Sequence, residues 1–307
     1  TQLKNTGENS QGLVNYRKVS VCCGETGNDL AKKAIEEGIN GIIFQLIDTV
    51  PVAELLKGID LNQITVSFDI YNNARAFTKD LVAFAKGKDL KGYINTGIIS
   101  NYVTTGSFDD SQIEIAAELV SLTADFPNFK ALTISGTEYL DSGANQVQEI
   151  AYTLNSLVFL TEKLKSKGVA VQDIFNNLNF LLAIGLEYFV EIGKFRAFNN
   201  LLGVLIDPYD KEFKSASDFS SRIAGNITTI LREESYFGKV SNPVDGSYYI
   251  EEVSSKIAEK ALELFKAIEA AGGFYKAFEN ETIQQQIAEI RLQKLKLISQ
   301  RRTPMVG

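Results

Sequence analysis

The chain alternates short apolar runs with longer segments in which apolar residues recur every three or four positions. Short runs of this kind are typical of buried strands, and the longer periodicity is typical of amphipathic helices. The apolar runs predict strands at 14–23, 41–47, 63–70, 91–96 and 129–136, with a further strand-like run at the end of 173–185. The helical spacing predicts helices at 30–38, 74–86, 113–124, 145–168, 186–202, 253–278 and 283–300. This alternation of strand and helix predicts parallel βα units and an α/β fold.

The segment 218–251 carries the most distinctive pattern in the chain. Its first part has helical spacing, with isoleucines on one face, and predicts an amphipathic helix. A turn at 242–247 follows, in which proline fixes φ and glycine relaxes it, and the turn leads into Tyr248 and Tyr249. We expect these two rings to brace neighbouring helices rather than to take part in chemistry.

The composition is that of an ordinary globular chain. Of 307 residues, 45% are hydrophobic and 22% are charged, which allows one large domain or two smaller ones. No apolar run approaches the length that spans a membrane, and the polar residues 1–12 lack the apolar core of a signal peptide. We therefore expect a cytoplasmic protein with a single domain over 1–307 and a frayed or truncated stretch at 1–13.

Charge and residue counts exclude several kinds of chemistry. A net charge of -7 argues against nucleic-acid or anionic-membrane partners, since both call for a basic patch. The chain contains no histidine, which removes the commonest general acid or base and the commonest metal ligand. Cys22 and Cys23 are the only cysteines, and we expect them to be buried strand thiols in a reducing compartment.

Two glycine-containing loops are candidates for ligand contacts. Residues 24–27 follow a strand and open a helix, but they lack the lysine of a phosphate-binding loop, so we interpret them as a plain βα turn. Residues 136–143 lie at the carboxyl end of a strand, where barrel enzymes place their active residues. Thr137, Glu138, Tyr139 and Asp141 supply polar groups in this second loop, and it stays a candidate.

Charged residues elsewhere form no recognisable catalytic set. No serine or cysteine has an imidazole to activate it, and metal-ligand spacing is missing from the sequence. We expect Glu233 and Glu234 to be solvated at a helix end. Lys194 and Arg196 are interpreted either as a surface charge pair near a substrate or as simply solvated side chains. The sequence therefore predicts no catalytic, cofactor-binding or metal-binding residue.

Several segments resemble the barrel domain of the methylmalonyl-CoA mutase family. That family carries an arginine-rich helix that ends in a Glu-Glu-Ser-like tripeptide, then a Pro-x-x-Gly-Ser-Tyr-Tyr-x-Glu turn and a long helix. The matching residues here are Arg222, Ile223, Ala224 and Asn226; Glu233, Glu234 and Ser235; and Pro243, Gly246, Ser247, Tyr248, Tyr249 and Glu251. The segments 133–154 and 191–197 are similar to the family as well.

The resemblance implies a (β/α)8 TIM-type barrel. Between Leu202 and Pro208 the family has a further strand, a helix and a long loop, which this sequence lacks. Either one βα unit is deleted here, or residues are joined across a gap. We favour the gap, because a barrel without one internal unit would leave two unpaired strand edges.

In catalytic members of the family the coenzyme A ester threads the barrel axis, and a histidine on a separate C-terminal domain ligates the cobalt of adenosylcobalamin. This sequence has no histidine, and we expect no such domain in it. The resemblance then implies that this chain binds no cofactor and that cobalamin is held by a partner subunit. Thr105 stands where a carboxylate-binding arginine is expected, and Leu140 stands where a substrate-facing glutamine is expected.

These losses favour the small, non-catalytic subunit of a heterodimeric methylmalonyl-CoA mutase, which interconverts methylmalonyl-CoA and succinyl-CoA. The expected partner is the homologous large catalytic subunit, which this chain would stabilise. One alternative is a self-sufficient barrel enzyme that acts on an acyl-CoA or a phosphorylated small molecule without cobalamin. Another alternative is a metabolic regulator that binds a chaperone of the mutase.

Overall fold

The structure, a computed structural model, describes residues 14–185, 187–198, 203–205, 217, 219–220, 222–224, 226 and 246–302. The expected frayed stretch at 1–13, the turn residues 242–245, and Glu233 and Glu234 lie outside these ranges. The strands are β1 (Val14–Val21), β2 (Gly41–Leu46), β3 (Thr65–Ile70), β4 (Gly92–Asn95), β5 (Phe129–Lys130), β6 (Leu132–Ser135), β7 (Leu178–Leu181) and β8 (Gly203–Leu205).

Helices follow most of these strands. They are α1 (Gly24–Glu36), α2 (Val52–Leu55), α3 (Ala74–Ala85), α4 (Ile98–Thr105), α5 (Ser111–Leu122), α6 (Thr137–Asp141), α7 (Gln146–Ser166), α8 (Val171–Asn176), α9 (Tyr188–Phe198), α10 (Tyr248–Ala270), α11 (Gly273–Glu279) and α12 (Thr282–Ser299). None of the described helices combines the length and the apolar character that crossing a bilayer requires.

The strands form a singly wound parallel arrangement. Six of them hydrogen-bond in the order β5-β4-β3-β2-β1-β8, and β6 pairs with β7. β5 and β6 are the two halves of the predicted strand 129–136, interrupted at Ala131, so the strand order continues from β4 to β7. Every described pair is parallel and β8 lies beside β1, which is the cyclic order of a barrel. The predicted (β/α)8 TIM-type fold class is confirmed, with seven strand positions among the described residues.

The outer faces of the strands bury apolar side chains beneath the helices. Phe68 of β3 is fully buried, and its ring centroid lies 5.0 Å from Phe77, 5.7 Å from Phe44 and 6.4 Å from Phe129. Aromatic contacts at these distances add to the stabilisation that comes from burial. This core holds the helices against the outside of the sheet, and it leaves the opposite face of each strand for the barrel interior.

The last three helices pack outside the barrel. α10 and α11 lie against α7, and α12 follows α11. The predicted single helix 253–278 is wrong in extent, because the helix begins at Tyr248 and is broken near its end. Gly272 and Gly273 adopt φ values of 111° and 82°, which residues with a Cβ rarely adopt, and the chain changes direction at these two glycines, where α11 begins.

Candidate functional site

The inner face of the sheet is polar. Along β1 to β4 alternate residues point away from the helices, and the strand register places Ser20, Gln45, Asp69 and Asn95 side by side at one level. Barrel interiors are usually filled by layers of bulky branched side chains. We call these four residues the polar row, and their departure from the usual filling makes the row a candidate site.

The polar row is held together by its own hydrogen bonds and by one ion pair. Ser20 Oγ donates to Gln45 Oε1 at 3.1 Å, and Asn95 Nδ2 donates to Asp69 Oδ1 at 3.2 Å. Lys18 lies two residues before Ser20 on β1 and therefore on the same face of the sheet. Its Nζ is 2.7 Å from Asp69 Oδ2. The Asp69 side chain is 5% exposed and that of Lys18 is 35% exposed. The nearly buried carboxylate is therefore paired, as a buried charge must be if it is not to destabilise the fold.

Two tyrosines line the inner face next to the polar row. The rings of Tyr16 and Tyr93 meet edge to face, with their centroids 6.3 Å apart. Tyr16 lies against Gly41 of β2, where an added Cβ would fall 2.6 Å from Cδ1 of the ring, so a glycine is required there. Burial raises the pKa of Tyr16 to about 12 and that of Tyr93 well above its usual value. Both phenols are therefore neutral near pH 7.

A second polar group is buried at the carboxyl end of β7. Lys194 of α9 is 0% exposed, and its Nζ lies 2.8 Å from Glu149 Oε2 and 2.6 Å from Glu191 Oε2. The same Nζ donates to the carbonyl oxygen of Ala183 at 2.5 Å, while Glu149 Oε1 accepts from the N–H of Ala183 at 2.8 Å. Gln146 Nε2 donates to Glu191 Oε1 at 2.9 Å. We call Lys194, Glu149, Glu191 and Gln146 the lysine cluster.

The lysine cluster sets one cation against two carboxylates. Burial raises the pKa of Glu149, and the neighbouring Lys194 ammonium and the N–H of Ala183 oppose that shift. Because these contacts join α7, α9 and the loop after β7, the cluster fixes the position of that loop at the mouth of the barrel.

The interpretation of Lys194 as a surface or solvated side chain is wrong, because the carboxylates that pair with it also bury it. Arg196 does lie nearer the surface. Its Nη2 donates to Glu251 Oε1 at 2.7 Å, and the two side chains are 23% and 46% exposed. The two residues have different surroundings because side chains two positions apart on a helix point to different sides of it.

The prediction that Cys22 and Cys23 are buried strand thiols is wrong. β1 ends at Val21, and both cysteines are exposed where the chain passes from the strand into α1. Cys23 Sγ donates to Thr26 Oγ1 at 3.0 Å, and hydrogen bonding with Thr26 lowers the pKa of the thiol. Residues 24–27 form the first turn of α1, so the helix begins where a separate βα turn was predicted.

The polar loop 136–143 contains the short helix α6. Its Tyr139 is 1% exposed, and the hydroxyl oxygens of Tyr139 and Ser156 are 2.8 Å apart in a hydrogen bond. Oε2 of Glu138 is buried and has no hydrogen-bond partner within the described ranges. The loop is thus partly structural, and Glu138 stays its candidate for a ligand contact.

The remaining candidates lie on exposed or partly exposed helix ends. Thr105 is exposed at the end of α4, and its Oγ1 donates to the carbonyl oxygen of Asn101 at 2.6 Å. Leu140 is partly buried on α6. Tyr249 meets Phe189 edge to face at 5.6 Å, as a bracing ring would. Tyr248 is 92% exposed, so the expectation that both rings brace helices is wrong for this residue.

The residues of the polar row, and those of the lysine cluster other than Lys194, are the site residues that sequence reasoning missed. A signal for the row existed in β3, where Ser67 and Asp69 alternate with Val66, Phe68 and Ile70. Parallel strands that are apolar on both faces read as continuous apolar runs, so this alternation indicates a polar inner face. The lysine cluster had no comparable signal, because 45 residues separate Glu149 from Lys194.

In the described ranges, no group of three or more His, Cys, Asp or Glu side chains could hold a metal ion. The resemblance implies cobalt ligation by histidine in the family, and a chain with no histidine does not fit that role.

The fold and the site define a parallel β/α barrel whose interior is lined by polar side chains instead of being sealed by an apolar core. The sequence model of the family described as methylmalonyl-CoA mutase matches residues 24–206 and 202–307, which is most of the chain. The chain belongs to the methylmalonyl-CoA mutase family.

Curated relatives of this family align over most of the chain. The chain is 25% identical to the methylmalonyl-CoA mutase small subunit of Porphyromonas gingivalis, over 91% of this chain and 56% of that protein. It is 25% identical to the small subunit of Streptomyces virginiae, over 91% and 55%, and 25% identical to the large subunit of Propionibacterium freudenreichii subsp. shermanii, over 91% and 47%. The chain thus spans about half the length of the curated relatives it matches.

Proposed function

We propose that this chain is the small, non-catalytic subunit of a heterodimeric, adenosylcobalamin-dependent methylmalonyl-CoA mutase in the cytoplasm. Its partner is the homologous large subunit, which binds the cofactor and interconverts methylmalonyl-CoA and succinyl-CoA. The role of this chain is to stabilise that partner through protein–protein contact. The proposal draws on family membership and on relatives that are named as small subunits.

The observation that carries the proposal is the pairing within the barrel interior. The Asp69 carboxylate forms an ion pair with Lys18 and accepts a hydrogen bond from Asn95, and the Ser20 hydroxyl donates a hydrogen bond to Gln45. A binding channel for a polar substrate would leave such groups facing the ligand, whereas here they satisfy one another. A set of groups that is already paired supports a scaffold more than a catalytic centre.

Two further features support the same proposal. Thr105 stands where the resemblance places a carboxylate-binding arginine, and its hydroxyl bonds to its own helix. A neutral hydroxyl cannot form the charge-assisted, two-pronged contact that a guanidinium makes with a carboxylate. The chain also contains no histidine to act as a general acid or base.

The second candidate function is a self-sufficient barrel enzyme that acts on an acyl-CoA or a phosphorylated small molecule. The observation that favours it is the partial exposure of Lys18, which leaves one cation within reach of an anionic ligand in the barrel. A phosphate or carboxylate that bound there would compete with Asp69 for the same ammonium group.

Complex formation and turnover distinguish the two candidates. The purified chain is mixed with the large catalytic subunit of the same organism, and the mass of the complex is measured by light scattering. The proposal predicts a one-to-one complex, no saturable binding of methylmalonyl-CoA by the isolated chain, and turnover only when the large subunit is present. Saturable acyl-CoA binding with turnover by the isolated chain would establish the second candidate instead.

We also propose that a further βα unit of the barrel, in addition to β8, belongs between residues 202 and 208 and is missing from the sequence. The two parts of the family match meet at 202–206, and the alignment to the Porphyromonas gingivalis protein has 346 positions, more than the 307 residues of this chain. The intact mass of the natural polypeptide tests this. A mass well above 33.8 kDa supports a gap in the sequence, and an equal mass indicates a true deletion.

A further inference from the structure

The outward side of α12 carries an apolar row that no described element covers. Leu292 and Leu295 are 67% and 52% exposed, Ala288 continues the row along the helix, and the small polar side chain of Ser299 lies at its end. Steps of four, three and four residues place these side chains on one face, which is the spacing of a seam between two packed helices. The inward side of α12 is already used, since Ile283 and Ile287 are buried. We call Ala288, Leu292, Leu295 and Ser299 the α12 row.

Cations surround the α12 row. Residues 290–302 contain five basic side chains and no aspartate or glutamate, although the whole chain carries a net charge of -7. The five are Arg291, Lys294, Lys296, Arg301 and Arg302, of which Lys294 donates to the carbonyl oxygen of Ala144 at 2.7 Å, and Glu289 directly precedes the stretch. Like charges so close together repel one another, and an anionic partner would relieve that repulsion.

A cavity of about 210 Å³ opens beside the row. Its walls include Val103, Phe278 and Ile287, and Arg291 lies at its rim. Gln284 lines the same cavity. Its Nε2 donates to the carbonyl oxygen of Phe278 at 3.0 Å, and its Oε1 is a buried acceptor without a hydrogen-bond partner among the described residues. An apolar side chain with a donor, such as tyrosine or tryptophan, would fill the walls and satisfy this acceptor.

We propose that the α12 row and this cavity dock an acidic amphipathic helix of the large catalytic subunit, an inference that rests on the function proposed above. The apolar face of that helix packs on Leu292 and Leu295, its acidic residues face the surrounding cations, and an aromatic anchor enters the cavity.

Other occupants fit these features less well. A second copy of the same helix would bring the same cations into contact with this set, and the two would repel. An anionic membrane would attract the cations, but acyl chains carry no donor for the buried oxygen of Gln284.

Glutamate substitutions in the row test the proposal in the full chain. Leu292→Glu and Leu295→Glu place a charge in the seam, and Leu262→Glu, at a side chain that is 47% exposed on α10, is the matched control. Affinity for the large subunit is measured by calorimetry, and the melting temperature of each isolated variant is recorded. We expect each row variant to raise Kd by about 30-fold or more, while the control stays close to the unchanged chain.

The outcomes separate this inference from the proposed function. If the unchanged chain forms no complex with the large subunit, the proposed function fails and this partner fails with it. If the complex forms and the row variants bind as tightly as Leu262→Glu, the proposed function stands and the docking site is refuted.

Three more results would overturn the docking site in favour of another occupant. The first is self-association that only the row variants lose, seen by sedimentation. The second is binding to phosphatidylglycerol vesicles that only these variants lose. The third is a lower melting temperature of the isolated row variants than of the control, since the row would then be covered by the chain's own residues.

Discussion

Replacing Lys194 with methionine removes the only cation of the lysine cluster while keeping an unbranched side chain of similar length. The substitution leaves the carboxylates of Glu149 and Glu191 facing each other in a buried site, where their side chains are 0% and 6% exposed. It also removes the donor to the carbonyl oxygen of Ala183. Breaking a buried ion pair from one side costs about 3–5 kcal/mol, because the partner charge stays buried without compensation. Since domains are stable by about 5–15 kcal/mol, this is a large share of the total.

The pH dependence of the variant follows from the same charges. Burial already raises the pKa of Glu149, and without Lys194 the largest opposing influence is gone. A carboxyl group whose pKa is higher in the folded state than in the unfolded state loses stabilising free energy as the pH rises through that window. Relative to the unchanged protein, the Lys194→Met variant should therefore be least stable at neutral and alkaline pH and should recover as the pH falls toward 5.

Urea unfolding followed by circular dichroism at several pH values measures both effects. Lys256→Met is the matched control, because Lys256 pairs with Glu252 at 2.6 Å while both side chains are more than 60% exposed. The control should leave the free energy of unfolding unchanged within error. If Lys194→Met does not fold, Lys194→Arg keeps the charge and should restore folding. A loss below about 1 kcal/mol with no pH dependence would refute the conclusion that the cluster is charged and structurally required.

Three further substitutions have defined outcomes. Phe68→Ala should lower the free energy of unfolding by about 3–5 kcal/mol in urea titrations, since it empties a fully buried position among three rings; a loss below 1 kcal/mol would contradict that packing. Asn145→Ala removes the capping box with Gln148 and should cost about 1 kcal/mol in the same assay, while Asn145→Ser should retain most of it. Tyr16→Phe should reduce the slope with which the free energy of unfolding falls as the pH rises above about 10. Between an unfolded pKa of about 10 and the folded value of about 12, the unchanged protein loses about 1.4 kcal/mol per pH unit through this phenol, and equal slopes would refute that shift.

The strand and helix positions were predictable because the barrel is built from local periodicity. The predicted strand 41–47 corresponds to Gly41–Leu46, and the predicted helix 74–86 corresponds to Ala74–Ala85. Each element buries one continuous apolar face, and the spacing of the apolar residues within the element is enough to predict that face. Strand order also followed, since short βα connections place successive parallel strands side by side.

The candidate site was less predictable because it depends on residues that are distant in sequence. The exposure of Lys194 could not be read from its neighbours, since burial of the ammonium requires Glu149 from another helix. The predicted location of Cys22 and Cys23 in a buried strand was wrong for a simpler reason. The strand ends at Val21, and a shift of two residues at a strand end moves side chains from the sheet to its rim.

The polarity of the barrel interior bears on how this chain came to its proposed role. Filling the inner face with apolar side chains is the usual way to stabilise such a barrel, and replacing a buried ion pair with apolar residues is often neutral or stabilising. Stability alone therefore does not explain why Asp69 and Lys18 occupy the inner face. A polar interior is what a barrel needs if a polar substrate is to pass along its axis. The pairing of these groups with one another agrees with the proposed role, in which the barrel serves for contact with a partner and not for substrate binding.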